Sequence, residues 1–322
     1  MLTLRSAYRR VAPSGARSRL TILIFHRVLA RPDPLFPDEV DAGAFEARMR
    51  WVKDWFNVLA LGEAVQRLRD GRLPERPLAI TFDDGYADNA RIAAPILRRL
   101  GLPATFFIAT GFLDGGCMWN DTVIEAVRAA KGPVLDLAAL GLGAHPVDGR
   151  PNRRAAIDRV IAALKHLPPG ERADKALRIA EIAGAGAPSD LMMSAGDVRR
   201  LHVNGMTIGA HTVNHPILTR IADGEARAEI ELSRRRLEDI TGAPVRLFAY
   251  PNGKPAEDFG LRHVEMVRTL GFDGAVTTAW GAARHGADPL QLPRFTPWDR
   301  QRWRYGLRLL RNLFEPAQTA VQ

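Results

Sequence analysis

The stretch from residue 78 to 109 sets the tightest limit on the fold. It holds an apolar run, Leu78-Ala79-Ile80-Thr81-Phe82, then a helical stretch over 89–100 that tolerates Pro95 and stops at Gly101, then a second apolar run over 104–109. Strand, helix and strand thus fit within about thirty residues. Such a unit is parallel and right-handed almost without exception, because a right-twisted strand feeding a right-handed helix packs back onto the sheet only that way. A parallel sheet needs both faces covered, which directs the chain to an α/β layer or barrel.

The hydrophobic pattern extends this reading. Residues 21–25 read as a first buried strand with His26 at its end, 44–55 and 61–69 as helices, and 206–210, 245–250 and 275–278 as further strands. Ser194-Ala195-Gly196-Asp197 is a capping box opening a helix through Leu201, and 225–240 and 257–270 are helical. About seven strands result, without an internal repeat. Two stretches stand apart. Residues 31–37 form a proline-dense loop, and about 111–190 is an alanine-rich, basic helical insertion, with helices over 121–130, 153–167 and 173–183. An insertion of this kind shapes access to a barrel rim or only pads the surface.

The 322 residues are 46% hydrophobic and 25% charged, the balance of a soluble globular protein. The single Cys117 excludes an internal disulfide framework, fits a reducing compartment and reads as a small buried apolar residue. Residues 1–19 form a basic arm with Arg5, Arg9, Arg10, Arg17 and Arg19, without the apolar region of a secretory signal. No stretch approaches the roughly eighteen apolar residues of a membrane span. These features predict a cytoplasmic protein.

The formal charge of +9 suggests an anionic partner: nucleic acid, the inner membrane face, or an acidic glycan. Nucleic acid is disfavoured, since zinc-finger spacing, an aromatic RNA-binding signature and a clear helix-turn-helix are all missing from the sequence. Residues 299–322 form a basic amphipathic helix and tail. Trp303, Leu307, Leu310 and Phe314 lie at helical spacing, with Arg302, Arg304, Arg308 and Arg311 between them. The commoner fate of such an apolar stripe is to pack on its own domain; the alternative is peripheral contact with an anionic membrane.

The run 78–82 ends in Asp83-Asp84-Gly85. Adjacent carboxylates repel, and a cation or a proton relieves them; the competing reading is a structural turn with an Asp capping the next helix. His211-Thr212-Val213-Asn214-His215 follows the strand 206–210, and a turn of helix there would put both imidazoles on one side. Each histidine alone is more often structural. Together with a carboxylate from another strand end they make a facial three-ligand metal site with open positions.

These motifs resemble those of the polysaccharide deacetylases of the NodB-homology type, carbohydrate esterase family four. The first motif is Thr81-Phe82-Asp83-Asp84-Gly85, the second His211 to His215 and the third Phe248-Ala249-Tyr250-Pro251-Asn252-Gly253; weaker counterparts of the fourth and fifth lie at 272–278 and 292–295. The resemblance covers roughly 20–295 apart from the insertion. It implies a distorted seven-stranded (β/α) barrel over 20–298 and a metal-dependent hydrolase that removes N-acetyl groups from amino sugars of a glycan or glycolipid precursor.

By the same resemblance, Asp84, His211 and His215 hold a divalent metal, zinc first with cobalt or nickel as alternatives, and Asp83 is the base that takes the proton of the attacking water. Tyr250 and Asn252 are substrate contacts, with a backbone N–H near Asn252 on the oxyanion. Two positions depart from the family pattern. Ala249 stands where many members carry an arginine that orients the catalytic aspartate, and Leu292-Pro293-Arg294 stands where a histidine acid is usual. Arg294 is expected to reach Asp83 from the next strand end, and His26 is the candidate general acid. The competing readings are a deformylase or other amide hydrolase on a lipid-linked sugar, a glycan-binding barrel without catalysis, and a basic scaffold at the membrane.

Overall fold

The computed structural model describes residues 4–186, 188–315 and 321. The chain divides into two compact units, one of Met1–Arg31, Val40–Leu113 and Met193–Gln322, the other of Pro32–Glu39 and Asp114–Met192.

The first unit contains α1 (Leu4–Val11), β1 (Arg19–Phe25), α2 (Ala42–Trp55), β2 (Asn57–Val58), α3 (Leu61–Arg69), β3 (Pro77–Phe82), α4 (Ala94–Leu100) and β4 (Thr105–Ile108). The second contains α5 (Trp119–Ala129), the hairpin of β5 (Val134–Asp136) and β6 (Ala144–Pro146), α6 (Arg150–Leu164) and α7 (Pro169–Ile182). The chain then returns to the first with α8 (Ala195–Val203), β7 (Thr207–Ala210), α9 (Asp223–Thr241), β8 (Leu247–Ala249), α10 (Leu261–Thr269), β9 (Gly274–Val276), β10 (Ala283–Arg284) and α11 (Arg302–Asn312).

Seven strands run in the order β10-β1-β3-β4-β7-β8-β9, with the short β2 also paired to β3. All pairs are parallel except β1 with β10. The sheet curls as a half-barrel. Residues 292–296 bridge its edges: Thr277 N–H donates to Leu292 O at 2.9 Å on the β9 side, and Phe295 N–H donates to Ile22 O at 2.9 Å on the β1 side. Arg294 is carried by this bridging segment.

Register decides where the site falls. Phe25, Phe82 and Phe106 are direct neighbours across β1, β3 and β4, and their rings stack at 5.4 and 4.7 Å. A one-residue slip would send this aromatic ladder to the opposite face. Holding it brings His26, Asp83 and the end of β4 to one rim. On the other side of β4, Phe107 lies against Gly209 of β7, where a Cβ would stand 2.4 Å from the ring. Glycine is the residue that lets this ring lie over β7.

Two local features depart from the sequence pattern. Residues 89–100 are not one α-helix: a π-helical turn, Asn89–Ala93, precedes α4. Pro95 has no N–H to donate, and a wide turn ahead of it absorbs the missing bond. In the second unit the hairpin β5–β6 was not visible in the alanine-rich pattern. The proline-dense segment 32–39 also belongs there, held by Arg128 on Asp33 (2.7 Å) and Arg154 over the Phe36 ring (4.6 Å).

The termini differ as well. The basic N-terminal segment is not an arm apart from the fold: α1 buries Tyr8 completely against Phe56 and Trp55. In α11 the buried face is Tyr305, Leu309 and the following Leu313, whereas Trp303, Leu307 and Phe314 are exposed. The stripe expected to pack inward faces out, because the Tyr305 face meets Trp51, Arg48 and α1 instead. No helix among the described residues is long and apolar enough to cross a membrane.

Candidate metal centre and active site

The end of β3 turns sharply at Asp84 (φ 76°) and Gly85 (φ 91°). A positive φ is costly for a residue with a Cβ, least so for Asp, Asn and Gly. The conformation is held by Asp83 N–H on Phe25 O (2.9 Å), Ala109 N–H on Asp84 O (3.2 Å) and Met193 N–H on Gly85 O (2.9 Å). Asp83 and Asp84 consequently project in different directions at the same rim, each nearly inaccessible to solvent.

Asp84 faces His211 and His215. Its Oδ1 lies 3.4 Å from each Nε2, and potential ligand atoms of all three residues lie within 4.8 Å of one another. The two imidazoles do not come from a helical turn. The loop after β7 bends through Thr212 (φ 64°) and His215 (φ 52°), and the rings meet edge to face at 4.7 Å. His211 Nδ1 is 2.7 Å from Ala249 O. A carbonyl can only accept, so Nδ1 carries the proton and the Nε2 lone pair is aimed at the site. Ala249, at the position of the expected arginine, thereby orients the His211 ring through its backbone.

Electrostatics fit a cation. Asp84 Oδ1 is buried without a hydrogen-bond partner, an unmet demand that a metal ion would satisfy. Burial alone would raise the Asp84 pKa, but His211, His215 and His26 outweigh it and hold the carboxyl well below its usual range. Burial, only partly offset by Asp84, pushes His215 down to about 4, leaving it neutral near pH 7. For His211 burial pulls the other way from the adjacent carboxylates, and Asp84 and Asp83 win, raising its pKa.

Asp83 points to a different partner. Arg294 Nη1 and Nη2 donate to its two carboxylate oxygens at 2.7 and 2.6 Å, and the same guanidinium donates to Thr81 Oγ1 (3.2 Å) and, through Nε, to Thr277 O (2.8 Å). Its charge lies 5.8 Å from the centre of the Phe107 ring that Gly209 admits. Burial would raise the Asp83 pKa; the Arg294 charge, with His211 and His26, more than reverses this and keeps the carboxylate ionised.

The other sequence candidates divide. His26 stands exposed at the end of β1, within electrostatic reach of both aspartates. Asn252, half-buried with φ 58°, sits in the loop after β8, tied to Thr278 through its carbonyl (2.8 Å). Tyr250 is corrected: its ring stacks on Phe259 at 3.9 Å in the core, and its hydroxyl and N–H are spent on Leu290 O (3.1 Å) and Val276 O (3.2 Å). With its ring and hydroxyl both engaged in the core, Tyr250 is not a substrate contact.

Sequence reasoning missed Glu229. This α9 residue, 9% exposed, accepts from Val213 N–H and Asn214 N–H (both 2.8 Å) and from the Asn214 side chain (2.7 Å), gripping the loop between the two histidines. The one signal was its place on the core-facing stripe of a polar helix, beside Ala226, Ile230 and Ser233. Glu229→Gln should weaken metal binding about tenfold or more with the fold intact, since lost outer-sphere support costs roughly 10–100-fold. A competition titration with a chromogenic chelator measures this, and unchanged affinity would assign Glu229 a purely structural role.

With this geometry in place, the comparisons with known proteins bear on it directly. The sequence profile described as polysaccharide deacetylase matches residues 70–131 and 170–274, just over half of the chain and including the Asp83-Asp84 and His211–His215 motifs. The chain belongs to the polysaccharide deacetylase family. It is 36% identical over 93 residues to the YxkH protein of Bacillus subtilis (strain 168), and 36% identical over 73 residues to the poly-beta-1,6-N-acetyl-D-glucosamine N-deacetylase of Staphylococcus aureus (strain N315). These matches cover 28% and 22% of this chain and only 32% and 25% of those relatives.

Likeness of fold extends much further than likeness of sequence. Streptococcus pyogenes deacetylase PplD superimposes with a TM-score of 0.61 at 19% identity, covering 92% of this chain and 99% of that one. IcaB from Ammonifex degensii gives 0.58 at 19% identity, covering 89% and 95%. Membership of the deacetylase family and the Asp84, His211, His215 cluster are consistent with each other, and Arg294 is the cation that pairs with Asp83.

Proposed function

We propose that this chain removes acetyl groups from N-acetylated amino sugars of a glycan or glycolipid, with Asp84, His211 and His215 holding a divalent metal and Asp83 acting as the base. The observation that carries the reading is the division of labour between adjacent carboxylates: Asp84 joins two imidazoles, whereas Asp83 is held apart by Arg294. A donor set of two imidazoles and one carboxylate suits zinc, with cobalt and nickel also accommodated. A cation bound there would polarise the amide carbonyl and make water a better nucleophile at neutral pH.

The residues of the chain account for the rest. Asp83 accepts a proton from the attacking water; each of its oxygens keeps a second lone pair beyond the one given to Arg294. As the water oxygen bonds to the acetyl carbon, a backbone N–H near Asn252 helps hold the oxyanion. The C–N bond then breaks, the sugar amine takes up a proton and acetate leaves, with His26 as the donor at the rim.

The Staphylococcus aureus relative makes β-1,6-linked N-acetylglucosamine oligomers the first substrates to try. Zinc-loaded protein should release acetate from them, and Asp83→Asn should abolish release while retaining the metal. Formate release from N-formyl sugars in place of acetate would redirect the reading to a deformylase. Oligomer binding without any hydrolysis, with metal bound, would make the chain a glycan-binding barrel and overturn the proposal.

A further inference from the structure

The two basic ends of the chain, far apart in sequence, form one surface. Helix α1 lies along α11: Tyr8 donates its hydroxyl to Gly306 O, and a Cβ on Gly306 would stand 2.6 Å from Leu4 and 3.1 Å from the Trp55 ring. Glycine at 306 therefore sets how closely the helices approach. With Tyr305, Leu309 and Leu313 turned inward, α11 presents Trp303, Leu307 and Phe314, which are 55%, 48% and 55% exposed, with Leu310 half-buried between them. Trp298 (57%) precedes the helix, and the centre of the Trp280 ring (45%) lies 6.1 Å from that of Trp298.

Half of the tryptophans in the chain are thus exposed, all within residues 280–303. Isolated exposed apolar side chains are ordinary, but a row of them along one helix face calls for a partner. Charge selects which. Residues 298–315 carry five arginines against two acids, and residues 4–19 carry five arginines and no acid. Arg9, Arg302, Arg308 and Arg311 are balanced by Glu75, Asp54, Asp299 and Glu315, whereas Arg304 lies over Trp303 at 5.1 Å and Arg10 is exposed on α1. A second copy of this face would bring like charges together, so self-association is disfavoured.

We infer that the α1–α11 face docks the protein on an anionic lipid bilayer. Tryptophan, phenylalanine and leucine enter the boundary between headgroups and acyl chains, and the flanking arginines extend to lipid phosphates. The docking holds whichever amide the active site cleaves, so its test is separate from that of the deacetylase reading.

Full-length protein is floated with mixed phosphatidylglycerol–phosphatidylcholine vesicles and with phosphatidylcholine alone. Two variants confined to exposed side chains are compared: Trp303→Ser with Leu307→Ser, and Arg304→Glu with Arg311→Glu. Wild type should bind the mixed vesicles with a blue shift of tryptophan emission, and each variant should bind at least about tenfold more weakly, since each basic residue near an anionic surface is worth about a factor of five. Failure of wild type to bind, or binding by both variants as tight as that of wild type, would overturn the inference. So would sedimentation showing a dimer that both variants dissolve, because the face would then be a self-interface. If one pair of substitutions unfolds the protein by circular dichroism, the other decides.

Discussion

Arg294→Met should lower turnover by about a hundredfold or more and cost about 3–5 kcal/mol of stability at pH 7. The size follows from burial: Arg294 and Asp83 are 1% and 2% exposed, and the pair is joined by two short hydrogen bonds. Removing the cation leaves a carboxylate inside the protein with little but histidines to balance it. The sign of the pH dependence follows. In wild type the folded-state pKa of Asp83 lies below its unfolded value, so its contribution to stability is present above the unfolded pKa and is lost as pH falls through the folded one.

Without Arg294, burial is opposed only by the histidines and the Asp83 pKa moves upward. The destabilisation should then be largest at neutral and alkaline pH and shrink in mild acid, while the acid limb of the pH–rate profile shifts to higher pH. Urea unfolding at several pH values and the profile for acetate release measure the two. Asp83→Asn in the Arg294→Met background should restore part of the stability and none of the activity. Unchanged turnover in Arg294→Met would remove Arg294 from the active site.

His211→Ala should reduce metal affinity by well over about a hundredfold, since losing support behind a ligand already costs up to that much. His211 contributes Nε2 to the site and anchors its ring on Ala249 O, so the substitution removes a donor and frees the carbonyl of a neighbouring strand. Metal content after gel filtration should fall to near background with the far-ultraviolet spectrum preserved; a full complement of metal would place the binding site elsewhere. In wild type, affinity should decline as pH drops from neutral, by about tenfold per unit once the metal must displace a proton. His211 governs this decline because the aspartates raise its pKa, whereas His215, at about 4, is already deprotonated.

Much of the site was legible because strand ends are written locally. An apolar run closing on Asp83-Asp84-Gly85 and another closing on His211 declare that both lie at a rim, and parallel winding declares that it is the same rim. Arg294 was legible only by elimination, from the alanine at 249. Its placement depends on residues 292–296 bridging β9 and β1, a path with no period of its own. Tyr250 was misplaced because its role was taken from the third motif, which does not show that its ring stacks on Phe259 from the following loop. Glu229 was missed because a buried acid on a polar helix looks like any surface acid until the loop it grips is known.

The sequence by itself determined the α/β class, the alternation of the main strands and helices, the motifs that cluster at the rim and the family, since each rests on local periodicity or on contiguous motifs. The tertiary structure alone decided that Glu229 grips the loop between the histidines, that the Tyr250 ring packs in the core, which face of α11 is buried, and that both basic ends share one surface. These depend on contacts between residues up to 298 positions apart, such as Tyr8 with Gly306. No local pattern encodes such a contact, because it exists only once the sheet has curled and brought its edges together.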